Sequence, residues 1–360
     1  MNIFNYIEKY KNISFEKEKF NEIDNLIFSL LIYLDFNTII SNNKESITLY
    51  EAASIFFSKY TYKDVKKIGI SPKEAYNVLK EIYISERYSS VVLSNYIYIG
   101  DRNKQFSALT YEFNKCKYIA FEGTDELLSG WKEDFMMAYI YPVPSQSYAI
   151  NYLRKAISIF DKEVYVGGHS KGGNLALVSS MNQSFIKRSK IKTIYNNDGP
   201  GLRKKQIESK NYKRIKNKYI HIVPDYSYIG ILLRDEEYYV VKSNSKDIMS
   251  HSMCSWEIIN NKLTTSELSD FSKKTALSIL TWLDRHSDKE RQMIIDSIFN
   301  SLEASGVYYT RDIRKIKSVL SIIENLKNID DNSKALIIDF LKYNINTIMS
   351  NNKEEKNNNL

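Results

Sequence analysis

The spacing of apolar residues indicates a helical start to the chain. Up to about residue 90, apolar side chains recur at helical intervals, which predicts helices at 21–34 and 49–67. Ser71 and Pro72 form a favourable cap and first turn, so they open a third helix. Residues 1–90 are therefore expected to form a helical segment.

After residue 90 the pattern changes to strands and then alternates. Short runs rich in β-branched and aromatic residues predict a meander of strands at 91–99, 105–113 and 117–121. Beyond them, helices are predicted at 130–139, 146–160, 172–185 and 272–302, and strands at 163–166, 192–196, 219–223 and 238–242. This alternation after an antiparallel portion predicts an α/β fold, with a mixed, mostly parallel sheet flanked by helices.

The C-terminal part of the chain has a different character. Two amphipathic stretches, 311–326 and 332–349, predict a helical hairpin within a C-terminal extension at 306–350. The polar residues 351–360 are expected to be a disordered tail. Residues 1–305 remain as one domain, which includes the N-terminal helical segment.

Composition limits the class of protein. A chain of 360 residues with 43% hydrophobic residues can bury a large core, which excludes global disorder. Two cysteines, Cys116 and Cys254, fit a reducing compartment. The start lacks a leader pattern, and the apolar stretch 26–34 is shorter than the ~20 residues of a membrane helix. We therefore expect a cytoplasmic protein. No metal-ligand spacing occurs, so we expect neither a metal nor another cofactor.

The net charge says little about partners. It is +8, from 51 Lys and Arg against 43 Asp and Glu. No basic run is interleaved with aromatic residues as in nucleic-acid-binding modules, so no nucleic-acid partner is expected. Weak peripheral contact with anionic membranes is compatible with this charge. The sequence does not identify a protein partner.

The most informative stretch is VYVGGHSKGGNLAL at 164–177. An apolar strand runs into G-H-S-K-G at 168–172 and directly into a helix, which is the context of a nucleophile elbow. The flanking positions 168 and 172, two residues from the serine on either side, must lack a Cβ because the strand and the helix crowd against them. The helix N-terminus favours negative charge beside Ser170. Ser170 is therefore the candidate nucleophile.

A nucleophilic serine needs a base, and the chain has four histidines. His169 lies inside the elbow, His221 lies within a predicted strand, and His286 lies in a charged patch of a late helix. His251 follows the strand 238–242 by a short loop, where α/β-hydrolases place the base. His251 is therefore the candidate base.

Two aspartates are candidates for the acid that orients the base. Asp198 follows the strand 192–196, in a Gly-Pro-Gly turn that would expose its carboxylate at the edge of the sheet. Asp225 follows the strand 219–223, and the strand order of the fold favours it. The residues leave both open, with Asp198 slightly preferred.

Acyl transfer also needs donors for an oxyanion. The strand that ends at Phe121 runs into a Gly turn upstream of the elbow, which is the usual source of one donor. Thr124 is the candidate there. The backbone N–H of Lys171, directly after the nucleophile, is the second candidate.

At this point the motifs resemble a known family. The segment GGHSKGGNLA at 167–176 looks like a bacterial α/β-hydrolase family of unknown function, related to class 3 lipases. The likeness extends to about residue 305 and includes FNEID at 20–24, QFSA at 105–108, FEGTD at 121–125, GWKEDF at 130–135, NDGPG at 197–201, SYIG at 227–230, and His251 with Trp256.

The resemblance implies roles for these residues and shows two departures. It assigns the nucleophile to Ser170, the base to His251 and the oxyanion donors to Thr124 and Lys171. Class 3 lipases would place the acid at Asp225, whereas the Asp-Gly-Pro-Gly turn of the closer family favours Asp198. The family usually has Arg at the position of Glu122, and commonly Asp at the position of Ser252.

Two functions follow as expectations. The first is a serine hydrolase that cleaves a carboxylic ester, such as a lipid or other acyl ester, through an acyl-enzyme on Ser170. The alternative is a binding or scaffold protein that keeps the α/β-hydrolase fold without its chemistry. Glu122 and the C-terminal extension are the reasons to consider it.

Overall fold

A computed structural model describes residues 1–40, 46–101, 104–124 and 127–309. The helical hairpin and the polar tail expected after residue 310 lie outside the described residues. The helices within them are α1 Ile3–Tyr10, α2 Glu22–Leu31, α3 Leu49–Lys59, α4 Tyr62–Lys66, α5 Ile70–Ile82, α6 Leu128–Met136, α7 Pro144–Ala156, α8 Lys171–Met181, α9 Phe185–Lys190, α10 Lys204–Ile207, α11 Lys210–Lys213, α12 Asp270–Arg285 and α13 Asp288–Ala304. The strands are β1 Ile47–Thr48, β2 Val92–Asp101, β3 Lys104–Phe113, β4 Cys116–Phe121, β5 Glu163–His169, β6 Ile191–Asn197, β7 Tyr219–Pro224, β8 Tyr239–Val241, β9 Ile258–Ile259 and β10 Lys262–Leu263.

The first eight strands form one sheet in chain order, and β9 and β10 form a separate hairpin. Strands β2 to β4 pair antiparallel, as the predicted meander requires, and β1, which was not predicted, pairs antiparallel with β2. Strands β4 to β8 pair parallel. The prediction of a mixed, mostly parallel sheet flanked by helices is confirmed, and this arrangement is consistent with an α/β-hydrolase fold.

The sheet is covered on both faces by different parts of the chain. In β4, Tyr118 and Ala120 join one core, whereas Ile119 and Phe121 join the other. The second core contains α7 and α8. Right-handed connections between parallel strands added in one direction place their helices on the same face. The opposite face is covered by the N-terminal helices α1, α2, α3 and α5.

Helix α2 is the inner helix of this N-terminal layer and is almost entirely buried. Asn21 caps it in a capping box with Asp24. Its polar side chains are paired with residues of the sheet: Asn25 donates to the Asn197 side chain at 2.9 Å, and Ser29 bonds the Tyr118 hydroxyl at 2.7 Å. These bonds satisfy polar groups that would otherwise be costly to bury.

Some predicted boundaries were wrong. The single helix expected at 272–302 is two helices, because Ser287 and Glu290 form a capping box that starts a new helix. Helix α1 was not predicted; Asn2 caps it.

Within the described residues, no helix is both long enough and apolar enough to cross a membrane.

We expect Arg87→Met to destabilise the fold strongly. The Arg87 guanidinium and the Asp24 carboxylate are fully buried and joined at 2.6 and 2.9 Å, so the variant leaves an uncompensated buried charge. The free energy of unfolding, measured by chemical denaturation, should fall by about 3–5 kcal/mol. Lys17→Met is the control, because Lys17 and its partner Glu86 are exposed, and it should cost no more than about 1 kcal/mol. Equal losses for the two variants would contradict this account.

Candidate active site

The predicted elbow is present between β5 and α8. Ser170 separates the strand from the helix and adopts φ 57° and ψ −132°, a conformation that non-glycine residues rarely occupy. A Cβ on Gly172 would lie 2.0 Å from the Phe121 carbonyl oxygen, and one on Gly168 would lie 2.5 Å from the same atom. Only glycine fits at these two positions, so β4 can approach the elbow closely.

Asp198 and His251 form a hydrogen-bonded pair at the end of β6. The His251 Nδ1 atom lies 2.6 Å from Oδ2 of Asp198, which is fully buried. The other carboxylate oxygen, Oδ1, accepts hydrogen bonds from the Ser227 hydroxyl at 2.5 Å and the Gly230 amide at 3.0 Å. Because Nδ1 faces a carboxylate, a neutral His251 carries its proton there and leaves Nε2 free to act as a base.

Asp225 has a different position and set of contacts. Its carboxylate accepts hydrogen bonds from the amides of Tyr226 and Ser243, each at 3.1 Å. No hydrogen bond or ion pair joins it to His251. These bonds fasten the turn after β7, so the structure brings the preferred aspartate, and not the alternative one, to the histidine.

Ser170 is held beside this pair through its backbone. Its amide donates to the Asn197 carbonyl at 2.9 Å, one residue before Asp198. A Cβ on Gly199 would lie 2.0 Å from the Ser170 carbonyl oxygen, so the Gly-Pro-Gly turn packs directly on the elbow. The Ser170 hydroxyl makes no hydrogen bond with any described residue. Bonds between a nucleophile and its base are often long before a substrate binds.

His169 connects the elbow to the loop that carries His251. Its Nε2 atom lies 2.8 Å from the His251 carbonyl oxygen, and its ring packs against the His251 ring at 4.3 Å between centroids. Burial, together with the neighbouring His251, lowers the pKa of His169 well below its usual range. A neutral His169 that donates from Nε2 accepts at Nδ1, where the Tyr33 hydroxyl lies at 2.9 Å.

Further contacts hold the loop around His251. The Trp256 indole donates to the Ser250 carbonyl at 2.9 Å. Ser252, at the position where the resembled family commonly has Asp, donates its hydroxyl to Glu74 of α5 at 2.7 Å. The N-terminal layer therefore contacts this loop directly.

The candidate oxyanion residues lie on either side of the elbow. Thr124 follows β4, and its hydroxyl donates to Asp134 of α6 at 2.5 Å. Gly123 lies so close to the nucleophile that a Cβ there would be 3.1 Å from the Ser170 Cβ. The amides of Thr124 and Lys171 donate to no other group of the described residues. Both are therefore available as donors.

A buried group of charges lies beneath these donors. The ammonium of Lys171 is inaccessible to solvent, lies 3.6 Å from the Glu133 carboxylate and donates to Gln105. Burial raises the pKa of Asp134 to about 6, although Lys171 and the Thr124 hydroxyl oppose the shift.

A cleft of about 440 Å³ opens beside Thr124. Most of its lining is apolar or aromatic, and the α4–α5 corner at residues 68–72 supplies the largest part of it. The side chains of Ile68 and Ile70 on its rim are about half exposed. The lining residues are Tyr33, Leu34, Asp35, Ile68, Gly69, Ile70, Ser71, Pro72, Tyr96, Tyr98, Glu122, Thr124 and Trp131.

Among the described residues, no group of three or more His, Cys, Asp or Glu side chains is arranged to hold a metal ion.

Comparison with known proteins adds the family. The sequence model of the Mbeg1-like family matches residues 82–300, which include all six predicted site residues. The chain belongs to the Mbeg1-like family. This family is lipase-related. The match covers the sheet from β2 onward and the whole elbow.

Among solved structures, the chain is similar to M37 lipase, with 15% sequence identity and a TM-score of 0.35. The alignment covers 59% of this chain and 70% of that one. No curated protein matches the chain.

The sequence analysis missed several residues that contact the site. Gln105, Asp134 and Ser227 lay in motifs of the resemblance, but no role was assigned to them. Each of them stands directly before an aromatic residue, and this signal was too weak to assign a role. Tyr33 and Glu74 precede the Mbeg1-like match and carried no such signal.

The raised pKa of Asp134 predicts a pH-dependent stability difference. A folded-state pKa near 6, against an ordinary value of 3.8, means that the folded state disfavours the ionised carboxyl. This carboxyl's contribution to stability is therefore fully present below about pH 4 and is lost as pH rises through 6. Asp134→Asn removes the ionisation and can still accept the Thr124 hydroxyl.

The measurement is the free energy of unfolding of Asp134→Asn and wild type at pH 4 and pH 8. From pH 4 to pH 8, the free energy of unfolding of the variant should rise relative to that of the wild type by up to about 3 kcal/mol. The pair at pH 4 is the internal control, because the wild-type carboxyl is then protonated in the folded state. A difference independent of pH would show that Asp134 does not ionise in this range.

Proposed function

We propose that the protein is a serine hydrolase that cleaves a carboxylic ester through an acyl-enzyme on Ser170. The observation that carries the proposal is the bond of His251 to the buried Asp198, beside a serine held in a strained elbow. Strain of this kind is maintained at catalytic sites, where it exposes the reacting group.

In the acylation step, Nε2 of His251 accepts the Ser170 proton as Oγ attacks the carbonyl carbon of the ester. The carbonyl electron pair moves to the oxygen, and the amides of Thr124 and Lys171 donate to the resulting oxyanion. The tetrahedral intermediate collapses, the bond to the alcohol breaks, and His251 protonates the leaving alkoxide. Asp198 orients the imidazole and stabilises its charged form.

In the deacylation step, a water molecule takes the place of the alcohol. His251 accepts its proton as the hydroxide adds to the acyl carbon. Collapse of the second intermediate releases the carboxylic acid, and the proton returns to Ser170. The overall reaction consumes one ester and one water and yields one acid and one alcohol.

The cleft supports an apolar acyl or lipid ester as the substrate class. Its volume lies within the range of small-molecule sites, which are mostly apolar with a few polar groups. Thr124, a candidate oxyanion donor, lies on its wall, which places the apolar side chains of Ile70, Tyr96 and Trp131 in the same cleft as that donor.

We expect a fluorophosphonate probe to label the purified protein at Ser170. Ser170→Ala removes the nucleophile and His251→Ala removes its base, so both should lose labelling and lower p-nitrophenyl ester hydrolysis by about 10³-fold or more. Ser54→Ala and His286→Ala are matched controls away from the site and should keep both activities. A series of ester chain lengths then defines the acyl preference.

The same experiment can refute the proposal. If the folded wild type is not labelled, or if Ser170→Ala is labelled equally, the serine mechanism fails. The binding or scaffold function would then be favoured.

We expect Asp198→Asn and Asp225→Asn to separate the two aspartates. Asp198→Asn deprives His251 of its carboxylate partner, so kcat on p-nitrophenyl esters should fall by about 10⁴-fold. Asp225→Asn keeps an acceptor for the amides of Tyr226 and Ser243 and should change kcat by less than about tenfold. The reverse order of losses would assign the acid to Asp225.

A further inference from the structure

We infer that Gln105 and the side chain of Lys171 are positioning residues that aim the Thr124 amide at the oxyanion. This inference rests on the proposed function, and it concerns how the donors at that site are held. Neither side chain contacts the reacting atoms in the mechanism above. Both act through the backbone of the loop after β4.

The argument starts from one peptide bond. The Gly123 carbonyl and the Thr124 amide belong to the same planar, trans unit, so they point in opposite directions. The Gln105 side-chain amide donates to the Gly123 carbonyl at 3.0 Å. By fixing the oxygen of this unit, Gln105 fixes the direction of the Thr124 N–H on its other side.

Gln105 is itself held in a single orientation. It is fully buried, and its Oε1 atom accepts a hydrogen bond from the Lys171 ammonium at 2.5 Å. An ammonium requires the acceptor end of the amide, so the NH₂ end must face Gly123. The positive charge on one end also polarises the amide and strengthens the bond it donates from the other end.

Lys171 thereby links the two candidate donors. Its own amide is the donor directly after the nucleophile, and its side chain reaches the other donor through Gln105. The ammonium is fixed by two further contacts, the Gln105 carbonyl at 3.0 Å and the Glu133 carboxylate at 3.6 Å. The Thr124 hydroxyl is held separately by Asp134. The donor peptide is therefore restrained at both its carbonyl and its side chain.

Positioning also explains why a charged residue occupies this place. A buried ion pair such as Lys171–Glu133 stabilises a fold little or not at all relative to apolar residues of similar volume. A well-packed apolar side chain would fill the site without that desolvation cost, but it could not orient Gln105. The role of the ion pair is therefore to hold the geometry of the two donors.

Two substitutions at Gln105 test the inference. Gln105→Glu keeps an acceptor for Lys171 but presents an oxygen to the Gly123 carbonyl, and Gln105→Met removes both side-chain bonds without adding charge. Lys171 keeps the residue-105 carbonyl in both variants. Gln183→Met is the matched control, because Gln183 is also buried with two hydrogen bonds but lies beyond the far end of α8.

The expected result is a loss confined to the transition state. With p-nitrophenyl acetate, kcat should fall by about 10- to 100-fold in both Gln105 variants, less than the loss of a whole donor, while KM changes by less than about twofold. Affinity for phenylboronic acid, which forms a tetrahedral adduct with an activated serine, should fall in parallel. Gln183→Met should leave all three quantities unchanged.

The other outcomes overturn the inference in distinguishable ways. If Ser170-dependent turnover is present and Gln105→Met keeps the wild-type kcat, the positioning role is wrong and the proposed function stands. A rise in KM at constant kcat would place Gln105 in substrate binding instead. If the folded wild type shows no Ser170-dependent turnover or labelling, the proposed function fails and the inference fails with it.

Discussion

The arrangement of the site depends on one steric contact, the packing of the Phe121 carbonyl into the space where residues 168 and 172 have no side chain. Because both are glycine, the end of β4 lies directly against the turn between β5 and α8. The loop at residues 122–124 therefore begins beside Ser170. Any Cβ at these positions would push β4 away from the elbow and move Thr124 with it.

Residues before the family match also hold the site together. The match begins at residue 82, yet Tyr33 bonds His169 and Glu74 bonds Ser252. Helices α7 and α8, which connect parallel strands, lie on one face of the sheet. The N-terminal layer covers the other face. The same layer reaches the loops at the edge of the sheet, so covering the core and holding the base are done by one set of helices.

The sequence was sufficient for the elbow and for the positions of the candidate residues, because each has a local cause. A strand, two glycines and a helix start specify the elbow, and short loops after strands specify His251 and the aspartates. The choice between Asp198 and Asp225 had no local cause, because both follow neighbouring parallel strands. Contacts from Ser227 and Gly230, about 30 residues later in the chain, orient the Asp198 carboxylate toward His251. The roles of Gln105 and Lys171 were equally hidden, since their bonds join separate elements.

The burial of α2 also determines when the chain can fold during synthesis. Asn25 bonds Asn197, which lies 172 residues later. At translation rates of roughly 5–20 residues per second, the partner of this helix leaves the ribosome about 10–30 s after the helix itself. Until then Asn25 lacks this partner, although Ser29 and Asp24 can already pair with Tyr118 and Arg87. Completion of the core is therefore a late event, because the contacts between α2 and the sheet are complete only once β6 has been made.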